Sequence, residues 1–204
     1  SNAVTSRLVG AVTPAPVGAA GRPLQPCANN PSVQLAVSVQ NATGGTWTGA
    51  GSFSPDANSL SAIYTPSAAE VIAGTATVTL TSTGNGLCNA VSDQVTITIT
   101  DAPVVEAGAA QTLCANNIAA QLNGQVTNAT GGNWTGGAGS FSPNAATVNA
   151  VYTASAAEVN VGGLWLYLTS TGNGGCLSSR DSVRLDYTPA PTVNAGLDAH
   201  VCAN

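Results

Sequence analysis

Apolar and small polar residues alternate along much of this chain with a period of two. In Val33-Gln34-Leu35-Ala36-Val37-Ser38-Val39 the odd positions are apolar and the even ones small or polar. Ala76, Val78 and Leu80 alternate with Thr75, Thr77, Thr79 and Thr81, and Val95, Ile97 and Ile99 with Thr96, Thr98 and Thr100. Successive strand side chains point to opposite faces, so this period, carried by β-branched residues, predicts strands buried on one side. Gly and Asn clusters separate the segments, as in a sandwich of about seven strands. One short helical turn is predicted at Ser67-Ala68-Ala69-Glu70, which has capping-box spacing and gives Glu70 a structural task rather than a catalytic one.

The same pattern is then written again. Cys27-Ala28-Asn29-Asn30 recurs as Cys114-Ala115-Asn116-Asn117, and Cys202-Ala203-Asn204 begins a third copy. Trp47-Thr48-Gly49 recurs as Trp134-Thr135-Gly136, Gly51-Ser52-Phe53-Ser54-Pro55 as Gly139-Ser140-Phe141-Ser142-Pro143, and the capping box as Ser155-Ala156-Ala157-Glu158. The second copy carries one extra Gly near Gly137. Strand positions recur too, at Ala120, Leu122, Gly124 and Val126. Thr13-Pro14-Ala15-Pro16, Asp101-Ala102-Pro103 and Thr188-Pro189-Ala190-Pro191 mark the junctions, where Pro removes backbone donors and stiffens the chain. Two repeats are therefore expected, at 14–101 and 102–189. Residues 1–13 read as a tag scar, Ser1-Asn2-Ala3, and the end of a preceding repeat; residues 190–204 read as the start of a third. Trp47 and Trp134 are expected as core anchors on a central strand of each sandwich.

Composition narrows the function. Charged residues make up 6% of the 204, the net charge is −5, and all four basic residues are Arg. No basic stripe exists to hold nucleic acid or an anionic membrane. No apolar run reaches the roughly 18 to 20 residues that span a bilayer. The one His, His200, falls in the partial third copy, so neither complete repeat can build a Ser-His-Asp or Cys-His arrangement. An enzyme is not expected.

The Cys-Ala-Asn-Asn start, the Trp-Thr-Gly…Gly-Ser-Phe-Ser-Pro centre, the Thr-Ser-Thr-Gly-Asn-Gly…Cys segment and the Ala-Pro…Ala-Gly junction resemble the PKD-like/Ig-like repeats of large Bacteroidetes cell-surface proteins, including gliding-motility-type adhesins. Where a typical PKD domain carries a Trp-Asp-Phe-Gly-Asp-Gly-like stretch, this chain reads Trp-Thr-Gly, so no role of those acids is carried over. The resemblance implies an all-β chain of two tandem Ig/PKD-like antiparallel β-sandwich domains. It also implies an extracellular, structural or adhesive module exported by type IX secretion, a monomer whose partners are neighbouring repeats.

Five cysteines are present, none in a Cys-x-x-Cys pair, which argues against zinc or redox motifs. An exported chain makes disulfides the default. Two pairings respect the repeat. One joins Cys27 to Cys88 and Cys114 to Cys176; the other joins Cys88 to Cys114 and Cys176 to Cys202. The resemblance implies the first. Geometry counsels against it, since Cys27 near the first turn and Cys88 near the last hairpin can sit at opposite ends, whereas a disulfide needs Cα atoms within about 7 Å.

Two binding chemistries are considered. Calcium needs six to eight oxygens, usually from clustered carboxylates. Asp93 and Asp181 are equivalent and Asp101 lies at a junction, but no Asp-x-Asp run occurs, so no cofactor is expected and junction calcium is the minor alternative. The second chemistry lies on one strand face. Where the first repeat has Thr77 and Thr79 beside Thr96 and Thr98, the second has Trp165 and Tyr167 beside Arg184 and Asp186. Leu164, Leu166 and Leu168 keep the inward positions, so the two rings should point outward. Flat rings at i and i+2, flanked by a guanidinium and a carboxylate, could stack a surface polysaccharide; the plainer expectation is a packing patch.

Overall fold

The computed structural model describes residues 14–15, 17–19 and 24–198, so His200 and Cys202 fall outside the described residues. The chain divides into two compact units. The first runs to Ala102 and includes Gly175–Leu177; the second comprises Pro103–Gly174 and the chain from Ser178.

In the first unit the elements are β1 (Val17–Ala19), β2 (Val33–Gln34), β3 (Ser38–Gln40), β4 (Gly44–Thr48), β5 (Ser52–Ser54), β6 (Ile63–Thr65), α1 (Ala68–Ala73), β7 (Thr75–Thr83) and β8 (Ser92–Thr98). They pair as β4-β7-β8, as β2-β6-β5 and as the ribbon β1-β3. The second unit repeats this with β9 (Val104–Glu106), β10 (Gln111–Cys114), β11 (Ala119–Gln121), β12 (Gln125–Thr127), β13 (Gly131–Thr135), β14 (Ser140–Ser142), β15 (Val151–Thr153), α2 (Ala156–Val161), β16 (Gly163–Thr171) and β17 (Arg180–Thr188). Its sheets are β10-β17-β16-β13, β11-β15-β14 and β12-β9. With 45% of the described residues in strands against 7% in helices, the chain is all-β, and each unit is a β-sandwich. Their ladders are antiparallel except β10 on β17, which runs parallel from Gln111↔Leu185 to Cys114↔Thr188. In the first unit the parallel bridges Leu24↔Ile97 and Cys27↔Thr100 trace the same line.

Two details depart from the periodicity. The run Val33–Val39 is not one strand. It breaks between β2 and β3, so that β2 joins β6 while β3 crosses to β1. Alternation survives the break, with Val33 and Leu35 buried between exposed neighbours. The Trp strands are also not central: β4 and β13 end their sheets, and β7 and β16 lie inside. Trp47 and Trp134 are nevertheless 1% exposed, each packed into its unit's core. Trp47 stands opposite Leu80 on β7, and Trp134 opposite Leu168 on β16.

Each core is built on the inward face of the long hairpin. Val78, Leu80 and Ile97 pack with Trp47, Tyr64 and Leu35; Leu166, Leu168 and Leu185 pack with Trp134, Tyr152 and Leu122. Gly124 is required in the second core. A Cβ there would lie 2.8 Å from Leu168 and 3.0 Å from the Trp134 ring. The indole seated against it donates from Nε1 to the Val148 carbonyl at 2.9 Å.

Candidate functional site

The expected binding face lies on β16 and β17. Trp165 pairs with Arg184, Tyr167 with Ser182 and Gly163 with Asp186. Leu164, Leu166 and Leu168 are buried, so Trp165 and Tyr167 stand on the outward face; Trp165 is 49% exposed and Tyr167 half-buried. Arg184 donates from Nε to Asp186 Oδ1 at 2.8 Å. Both groups are partly exposed, so this pair orients the guanidinium more than it stabilises the fold. The Arg184 guanidinium carbon lies 5.8 Å from the centre of the Trp165 ring.

A residue that the sequence reading missed completes the face. Arg180 lies 3.8 Å above the Tyr167 ring, a cation–π contact worth about 0.5 to 1 kcal/mol at an exposed site. Its signal was in the ladder: Arg180 pairs with Thr169, diagonal to Tyr167. Because Arg180 covers one face of Tyr167, Trp165 is the more open ring. Tyr167, Arg180, Asp181 and Ser182 line a shallow, open cleft. Gly136, at φ 92°, passes close beneath, where a Cβ would lie 2.8 Å from the Trp165 carbonyl and 3.4 Å from the Tyr167 ring.

Glu70 and Glu158 occupy structural posts. α1 and α2 carry complete capping boxes, closed at the other end by Gly74 and Gly162 in the left-handed region. The Glu70 carboxylate accepts from the Ser67 backbone N–H and hydroxyl at 2.8 and 2.9 Å, and from the Tyr64 hydroxyl at 2.8 Å. Tyr64 in turn accepts from the Gly51 N–H at 2.9 Å. Glu158, Ser155, Tyr152 and Gly139 repeat this network. Burial, and after it the hydrogen bond to Glu70, pushes the Tyr64 hydroxyl up to about 12. Burial and Glu158 push Tyr152 upward too. For the carboxylates burial acts upward and is outweighed by the donated hydrogen bonds, led by the Ser67 and Ser155 N–H groups, so both fall below their ordinary value. A carboxylate held ionised by donated hydrogen bonds in this way serves as a fixed cap.

The acidic residues considered for calcium do not converge. Asp181 Oδ2 accepts from the Ala107 N–H at 2.8 Å, which ties β17 to the chain after β9. Among the described residues no three of His, Cys, Asp and Glu gather as a metal would require.

Neither sequence-based disulfide pairing is present. Cys27 is bonded to Cys176, with Cα atoms 5.0 Å apart, while Cys88 and Cys114 are free thiols. The bond therefore joins the first cysteine of one repeat to the hairpin cysteine of the next. Around it, the Asn29 side chain donates to the Leu177 carbonyl at 2.9 Å and accepts from the Leu177 N–H at 3.0 Å. The Asp101 carbonyl oxygen lies 3.6 Å from Cys176 Sγ. Repeat symmetry limited the expected pairings to a shared unit or a shared junction; contact between Cys27 and the tip after β16 is a matter of space, not spacing.

Among the described residues no helix is long and apolar enough to cross a membrane. No family model and no curated protein matches the chain. Among solved structures it is similar to the insect immune protein hemolin, at 12% identity and a TM-score of 0.44, over 85% of this chain and 47% of that one. It is similar to Drosophila N-cadherin EC1-4 at 12% identity and a TM-score of 0.43, over 86% and 50%. Human protocadherin-24 EC1-2 is similar at 14% identity and a TM-score of 0.44, over 88% and 100%. The chain spans less than two thirds of the length of the first two.

Proposed function

We propose that this chain is a non-catalytic spacer segment of a large secreted or cell-surface adhesin, of the PKD-like/Ig-like kind that its repeat motifs resemble. Its work is to hold other domains at a distance and to bear tension. The observation that carries this reading is the Cys27–Cys176 bond, which links residues of successive repeats instead of closing one. A bond so placed keeps about 500 Å of chain from being drawn out under load, taking ~3.5 Å per extended residue over a separation of 149. Single-molecule stretching checks this: reduction should lengthen the extended chain by about that amount. An equal length before and after reduction sinks the load-bearing reading. The spacer needs no metal, so a chelator should leave the melting temperature unchanged; a rise on adding calcium would restore the ion.

A second reading rests on the exposure of Trp165. In it the outward face of β16 and β17 stacks a surface polysaccharide, with Arg184 and Asp186 as polar partners of Trp165 and Tyr167. A glycan array of the parent beside Trp165→Thr/Tyr167→Thr separates the two readings. Binding by the parent alone, at equal melting temperature, replaces the spacer with a binder. No binding by either leaves the spacer.

A further inference from the structure

Among the described residues each of two cysteine sites occurs twice, once bonded and once free. Cys27 and Cys114 occupy the same backbone setting. Asn30 N–H donates to the Cys27 carbonyl at 2.9 Å and Asn117 N–H to the Cys114 carbonyl at 2.8 Å. Ala28 N–H donates to Thr100 and Ala115 N–H to Thr188, each at 2.8 Å. Cys27, which holds its partner, is 0% exposed, whereas Cys114 is an exposed thiol. Asn116, the counterpart of the Asn29 that clasps Leu177, is exposed as well.

The hairpin cysteines match equally well. Asn85 and Asn173 donate to the carbonyls of Ser82 and Ser170, and those serine hydroxyls accept from Val91 and Ser179 N–H at 3.0 and 2.9 Å. Cys88 Sγ lies 3.9 Å from the Pro14 carbonyl, as Cys176 Sγ lies 3.6 Å from that of Asp101, the residue in Pro14's place one repeat on. Both free thiols are thus already held as their bonded counterparts are.

We infer that Cys114 and Cys88 are the two open halves of the Cys27–Cys176 crosslink, and that the occupant of each is a neighbouring repeat. The first cysteine of every repeat bonds to the hairpin cysteine of the repeat that follows it. Cys114 takes the hairpin cysteine of a third repeat, and Cys88 takes the first cysteine of a preceding one. The inference deepens the spacer reading and rests on it for the presence of neighbours. Each bond consumes two thiols and releases two protons and two electrons. The electrons pass by thiol–disulfide exchange to an exported dithiol–disulfide oxidant, whose own disulfide becomes two thiols.

The loops closed by such bonds overlap, and this changes how the array bears force. A covalent path jumps from Cys27 to Cys176, follows the junction to Cys202, the first cysteine of the third copy, and jumps again. Its only extensible part is the stretch from Cys176 to Cys202, at most about 90 Å for each two repeats. Two repeats without crosslinks would draw out to roughly 600 Å. The stretch from Cys88 to Cys114 belongs to a second, interleaved path, so tension is shared by two covalent lines.

The test is a disulfide map of a longer chain, made by following residues 1–189 with a second copy of 102–204. The appended copy carries Cys114→Ser, Cys202→Ser and the peptide marker Leu177→Val. The protein is refolded with reduced and oxidised glutathione, alkylated, digested and mapped by mass without reduction. Expected are Cys27 bonded to the first Cys176, Cys114 bonded to the appended Cys176, and Cys88 alkylated. An alkylated Cys114, or Cys114 joined to Cys88 or to the first Cys176, overturns the inference. The 204-residue chain, mapped in parallel, must show Cys27–Cys176, and its failure to do so overturns the inference as well. Glycan binding would sink the spacer reading without altering this map, so the two failures are distinguishable.

Discussion

On β7 and β8 the outward positions are Thr77, Thr79 and Thr81, facing Thr96, Gln94 and Ser92. On β16 and β17 the same positions hold Trp165, Tyr167 and Thr169, facing Arg184, Ser182 and Arg180. Turned inward, the two hairpins agree: Ala76, Val78 and Leu80 on one, Leu164, Leu166 and Leu168 on the other, all buried. The inner face must fill a closed volume against Trp47 or Trp134, and a change of one methylene is felt there. The outer face meets water, where Thr and an Arg-covered aromatic ring are both tolerated. A fold repeated within one chain thus shows which positions packing dictates and which it leaves free.

The largest test of that contrast is on the inner face. Leu80→Ala and Leu168→Ala should each cost about 2 to 5 kcal/mol in denaturant unfolding, with similar losses in the two repeats. A difference of several kcal/mol between them would show that the cores are not equivalent.

Next comes the buried polar network. Tyr64→Phe and Tyr152→Phe each remove a donor to a Glu and an acceptor for a Gly N–H, and should cost about 1 to 3 kcal/mol. A loss in only one repeat would break the symmetry.

The carboxylates of that network set a pH dependence. Glu70 and Glu158 titrate in the fold below their ordinary 4.5, so their contribution is complete above that value and is lost as pH falls through the folded values. Stability should therefore decline in acid below about pH 4.5, and Glu70→Gln/Glu158→Gln should flatten the decline. Tyr64 works in the opposite sense. Its contribution is complete below 10.0 and is lost as pH rises through about 12. Melting temperatures across the pH range read both.

The smallest effect belongs to the outer face. Replacing Trp165, Tyr167, Arg180 and Arg184 by their first-repeat counterparts Thr, Thr, Ser and Thr should change stability by no more than about 1 kcal/mol. A loss above about 2 kcal/mol would show that this face is packed rather than free.

Much of this was legible in local sequence. A period of two is a property of neighbours along one strand, so Val78, Leu80, Ile97 and their counterparts could be assigned to the core from the chain alone. Ser67 and Glu70 cap the helix they begin, which also needs only adjacent residues. The edge position of Trp47 was not legible, because strand order depends on which segments cross the sandwich; nothing local in Val33–Val39 announces that the run breaks to serve two sheets. Arg180 was missed because its contact with Tyr167 crosses two strands on a diagonal.

The sequence by itself determined the repeat, the alternation, the two capped helical turns and the outward direction of Trp165 and Tyr167. Each follows from stereochemistry within a few residues, repeated at a fixed period. Only the tertiary structure decided that Cys27 meets Cys176 and leaves Cys88 and Cys114 free. A disulfide depends on two sulfur atoms arriving within bonding distance, and that is set by how loops far apart in the chain are carried to one place.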